Sequence, residues 1–163
     1  MFCMAFPAFG AVIFCIIRGM KNRSVPTDIV LPHVSYQNIS EACDWLSRVF
    51  GFRETYRHGD PVSGVMMHLG PVFLMLHRAR EGCLNPVELG YRTQMLTILV
   101  KDVDAHYKRS VEAGARIVEE LHETVYGERQ YGVEDIEGHK WLFSQHARDA
   151  DPAEWGATLR KAP

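Results

Sequence analysis

"TQMLTILVKDVDAHYKRSVEAG", Thr93–Gly114, repeats the plan of an earlier segment, and that repetition decides the fold. "TQMLTILV" is apolar and β-rich, which predicts a strand. "KDVDAHYKRSVEAG" then reads as a helix that closes at Gly114. Earlier, "DIVLPHVSYQ" reads as a largely buried strand and "NISEACDWLSRVFGF" as a helix. Asn38 or Ser40 can cap that helix, and Ala42, Trp45, Leu46 and Val49 recur at helical spacing. Gly51 ends it. Three strand candidates follow each helix: "FRETYRH", "GVMMHLG" and "VFLMLHR" in the first unit, "ARIVEEL", "ERQYGVED" and "KWLFSQH" in the second. Gly59-Asp60-Pro61 and Gly70-Pro71 mark turns in the first set. The order βαβββ therefore runs twice, near residues 28–78 and 93–146, across the loop "AREGCLNPVELGYR". The expected class is α+β. Two such modules can bury their faces as one curved eight-stranded mixed sheet, a cup with the helices outside.

Composition narrows the partners. The chain has 163 residues, 18 Lys and Arg against 20 Asp and Glu, and no basic run, so nothing favours nucleic acid. Its four cysteines, Cys3, Cys15, Cys43 and Cys83, form no CxxC pair and no zinc spacing, which fits a reduced cytoplasmic protein. Residues 1–26 form an apolar leader, "MFCMAFPAFGAVIFCII" followed by Arg18, Lys21 and Arg23. It is short for a membrane span and has its charges on the wrong side for a signal peptide. A translation-start artefact, with Met20 opening the domain, is the expectation, and a weak membrane anchor the rival. The domain is expected over 27–150, with "DPAEWGATLR" opening a short helical tail over 151–163.

Three stretches carry a family resemblance: "ACDWLSRVFGFRE", "VKDVDAHYKRSVEAGARIV" and, above all, "YGERQYGVEDIEGHKWLFSQH". With the duplicated βαβββ plan, the chain resembles the vicinal oxygen chelate superfamily over about residues 28–150. That group includes glyoxalase I, bleomycin-resistance proteins, fosfomycin-resistance enzymes and extradiol dioxygenases; the PhnB-like branch looks nearest. One departure is Ile136, where many relatives have proline after the aspartate. The resemblance implies a homodimer. In metal-using members it also implies four His or Glu ligands on strands one, four, five and eight, holding a divalent ion as a Lewis acid. Counting from Asn38, Asp102 and Gly138, and matching "FLML", puts those positions at Leu31, Met95, Leu142 and Met75. All are apolar, and none offers a donor to a hard cation. No cofactor is expected at them.

Two residues along, His33 and His77 share the face of Leu31 and Met75, and His68 lies on a neighbouring strand. They are expected to contact a bound organic ligand. A displaced divalent metal is a further option, with Glu128, Tyr131, Glu134 or His139 as extra donors. Arg129 and Tyr131, two apart on one strand, either clamp and stack on a ligand or form a salt bridge and a packing ring. Asp135 and Gly138 are read as turn residues, His139 as bonding across that turn, and Trp141, Phe143 and Trp45 as core. Met66, Met67, Met75 and Met95 fit an adaptable pocket or ordinary packing. No GxSxG, Cys-His signature or P-loop occurs, and Cys43 is expected to be buried. The leading expectation is a metal-independent protein that binds a small apolar or aromatic molecule in the cup, with His33, His77, Arg129 and Tyr131 supplying polar contacts. The alternatives are a lyase, isomerase or dioxygenase with a displaced metal, and a non-catalytic structural or regulatory protein.

Overall fold

The computed structural model describes residues 30–160. The apolar leader, Met20 and the start of the first strand segment lie outside the described residues.

Both modules are present. The first comprises β1 (His33–Tyr36), α1 (Ile39–Val49), β2 (Arg53–His58), β3 (Gly64–Leu69) and β4 (Val72–Arg78). The linker contains an unforeseen short helix, α2 (Pro86–Leu89). The second module comprises β5 (Met95–Leu99), α3 (Val103–Glu112), β6 (Arg116–Glu123), β7 (Glu128–Glu134) and β8 (Lys140–His146). The tail makes a short 3-10 turn at Pro152–Trp155. Among the described residues no helix is long and apolar enough to cross a membrane.

The eight strands hydrogen-bond as two four-stranded mixed sheets, ordered β1-β4-β3-β2 and β5-β8-β7-β6. In each, the first strand pairs parallel with the fourth and the other pairings are antiparallel. β1 is shorter than its apolar run suggests. Pro32 has no N–H for the ladder, although its carbonyl still accepts from Met75 N at 2.9 Å.

The helices define one face of each sheet. On α1, Ile39, Ala42, Cys43, Leu46 and Val49 are buried. They meet Val34, Tyr36, Val65, Met67, Leu74 and Leu76 from the first sheet. The same cluster continues into Ile98, Val103, Tyr131, Val133, Trp141 and Phe143 of the second module. Each such large side chain contributes roughly 1.5–3 kcal/mol of transfer free energy. Phe50, directly after α1, joins the halves: its ring lies 5.6 Å from Trp141 and 4.7 Å from Phe143. Trp141 and Phe143 pack under the helices as read from the sequence. Met67 belongs to this core rather than to the face of Met66, because strand neighbours point oppositely.

Candidate functional site

The opposite, helix-free faces carry the residues that would line a cup. On the first sheet two rows lie side by side. In one, His33 pairs with Met75 and Met75 with Met66; in the other, His77 faces Ser35 on one side and Gly64 on the other. The His33 and His77 rings stand 5.0 Å apart at 58°. His68 lies one layer away, stacked on Phe73 at 5.5 Å, with Nδ1 3.3 Å from Gly70 O. Partial burial, then the charges of His33 and Arg80, hold the His77 proton affinity below that of a free imidazole.

On the second sheet, Leu142 pairs with Thr97 on one side and Gly132 on the other, and Met95 pairs with Lys140. The offset between Met95 and Leu142 matches that between Leu31 and Met75: in each module the later position sits opposite the residue two beyond the earlier one. Repeat symmetry thus relates the four apolar corners. Met95 is 45% and Leu99 54% exposed, whereas Leu142, Ser144 and Gln130 are buried. Farther along this face, Glu128 accepts from Ser144 Oγ at 2.6 Å and pairs with His146. Both line an open recess of about 470 Å³ with Tyr126 and Arg148.

Arg129 and Tyr131 share a face as expected, but it is the helix face. Arg129 makes a two-pronged ion pair with Asp104 of α3, at 2.9 and 2.7 Å. Tyr131 is fully buried. Its hydroxyl lies 2.7 Å from His106 Nδ1 and 2.8 Å from Ser110 Oγ. His106 Nε2 is 3.0 Å from Phe50 O, a carbonyl that can only accept. The proton therefore sits on Nε2, Tyr131 donates to Nδ1, and Ser110 donates to Tyr131. Burial pushes the His106 pKa down to about 4. This chain of bonds joins α1, α3 and β7, away from the faces of His33 and His77.

The turn between β7 and β8 clamps the modules together. Asp135 accepts from Tyr36 Oη at 2.6 Å, Trp141 Nε1 at 2.9 Å and the backbone of Glu137 and His139. Glu137 accepts from the backbone N–H groups of Gln37 (2.8 Å) and Asn38 (3.1 Å), at the entrance to α1. His139 Nε2 reaches Ser35 O at 3.0 Å. Gly138 has φ +84°, and a Cβ there would lie 2.8 Å from Val87 Cγ2 of α2, so both conformation and space call for glycine. Glu134 lies between Arg92 and Arg116. The "YGERQYGVEDIEGHKWLFSQH" stretch is thus chiefly a bracket and a core.

Among the described residues, no three or more His, Cys, Asp or Glu side chains converge as a metal-binding group. Glu128, Glu134 and His139 are occupied elsewhere, and the corner residues fit no hard divalent ion. The sequence carries no local signal for Glu137 as a site residue. Only the His106/Ser110 spacing on α3 hinted at a polar spot on a core-facing helix.

Comparison with known proteins agrees with this architecture. TioX from Micromonospora sp. ML1 is 35% identical, with a TM-score of 0.62 over 71% of this chain and 96% of its own. An uncharacterized protein of Mycobacterium bovis is 27% identical over 78% of this chain and 90% of its own. A bleomycin-binding protein solved with bleomycin shares the fold at 16% identity, with a TM-score of 0.59 over 73% of this chain and 98% of its own. The model of the Glyoxalase/Bleomycin resistance protein/Dioxygenase superfamily matches residues 30–143. Two βαβββ modules, bracketed by the β7–β8 turn and carrying that match across most of their length, make this chain a member of that superfamily.

Proposed function

We propose that the chain binds a small apolar or aromatic molecule against its helix-free sheet faces, without a divalent metal at the four corner positions. The observation that carries this reading is the set of four symmetry-related corners, Leu31, Met75, Met95 and Leu142, filled by aliphatic and thioether groups. Thioethers give an adaptable, polarisable lining for a flat ligand. His33, His77 and His68 supply polar contacts on the first sheet. Arg129 and Tyr131 take the structural roles that their ion pair and burial give them. Exposed Met95 and Leu99 favour a homodimer in which a second copy covers these faces.

The test is a thermal-shift panel of aromatic, heteroaromatic and glycopeptide compounds on metal-free protein. A binder stabilises its native state, so at least one class raises the melting temperature, and Leu142→Glu abolishes the rise while the protein still folds. No shift across the panel overturns the reading. A stoichiometric divalent ion retained through purification without chelator, and lost in His33→Ala, overturns it in favour of a metal-dependent lyase, isomerase or dioxygenase.

A further inference from the structure

We propose that His33, His77 and Met75 form a binding site for a monovalent soft metal ion, Cu(I), on the helix-free face of the first sheet. The site adds to the reading above and uses the face on which that reading rests. Six of the eight histidines engage partners through their rings: His58, His68, His106, His122, His139 and His146. His33 and His77 make no hydrogen bond with a described residue, and they are the pair that stand together.

Their separation permits shared ligation of one ion. Two imidazoles bound through nitrogen to one tetrahedral ion, at roughly 2.0–2.1 Å per bond, have ring centroids about 5 Å apart. The observed distance is 5.0 Å. The register puts Met75 directly beside His33, and buried Met66 beside Met75 on the same face. A flexible thioether in that position can reach an ion held by both rings. The donor set of two imidazoles and a thioether selects a soft ion over a hard one. It is also uncharged, with the positive charge of Arg80 nearby. One positive charge is far easier to hold there than two.

The test uses the full chain with Cys3, Cys15 and Cys83 changed to serine, so that these thiols cannot compete. It is titrated anaerobically against the Cu(I)–bicinchoninate complex. The expected result is transfer of one Cu(I) per chain, weakened by roughly tenfold or more in His33→Ala and in Met75→Leu. X-ray absorption is expected to show mixed nitrogen and sulfur ligation. Far-UV circular dichroism confirms that both variants fold. Failure to take Cu(I) from the chelator overturns the proposal. So does unchanged affinity in Met75→Leu, or Zn(II) binding of equal strength that ignores Met75. Because the compound panel is read on metal-free protein, either result can fail while the other stands.

Discussion

Asp135 holds two oxygens where two buried ring donors and two turn amides meet. Tyr36 Oη and Trp141 Nε1 use Oδ2, and the amides of Glu137 and His139 use Oδ1. An asparagine there turns an N–H₂ group toward one of the two donor pairs. Asp135→Asn is expected to lower stability by about 3 kcal/mol, and Tyr36→Phe, which removes one donor cleanly, by about 1 kcal/mol. Urea unfolding followed by tryptophan fluorescence measures both; equal losses would contradict this assignment. His106 makes a second residue-scale prediction. Its folded pKa is about 4, against 6.5 when free, so below pH 6.5 the unfolded chain binds the extra proton. Its stabilising contribution is complete above pH 6.5 and is lost as pH falls toward 4, by about 3 kcal/mol in all. His106→Gln, which cannot titrate, is expected to flatten this part of the stability–pH curve. Identical pH slopes for the two proteins would refute the prediction. Sequence reading placed Arg129 and Tyr131 on a common face but not on the right one. A period of two fixes which residues go together, and only the neighbouring helix fixes which way they point.

At the scale of elements, both long helices were legible, because apolar spacing and terminal signals act within the segment itself. Asn38 and Asp102 cap them with side-chain oxygens, and positive-φ glycines follow them, as their positions suggested. α2 was missed because four residues show no period, although Asn85 and Glu88 form a capping box whose pattern stands in "NPVE". The role of Glu137 could not be read at all. Its partners Gln37 and Asn38 lie about a hundred positions away, and only the duplicated topology brings a turn of one module against a helix entrance of the other. At that entrance the carboxylate meets unpaired N–H groups and the positive end of the helix. Glu137→Ala is expected to destabilise the protein by about 2 kcal/mol. It should also speed amide hydrogen exchange at Gln37 and Asn38 ahead of the sheet amides. Unchanged protection at those two amides would show that the bond carries no weight.

For the whole molecule, the internal repeat showed the number and order of strands, but not how two open sheets divide their faces between core and solvent. The helix faces merge through Phe50, Trp141 and Phe143 into one core, and the other faces carry buried side chains such as Met66 and Leu142 beside exposed ones such as Met95 and Leu99. β5 lies at the edge of its sheet and turns Met95 and Leu99, both largely exposed, toward solvent. An edge that no described strand pairs with, bearing apolar side chains, invites another strand or surface. A second copy satisfies this at both ends by symmetry, because each chain offers the same edge. Sedimentation equilibrium is therefore expected to return twice the chain mass, and the melting temperature to rise with protein concentration. Leu99→Glu, which buries a charge if the face is covered and none if it is not, should shift the mass to that of one chain. If the dimer completes the ligand site, the same variant also loses the thermal shift given by whichever compound class binds the parent. A variant that becomes monomeric yet keeps that shift would confine the site to one chain. A parent that is monomeric at every concentration would leave the exposed β5 face without the partner inferred for it.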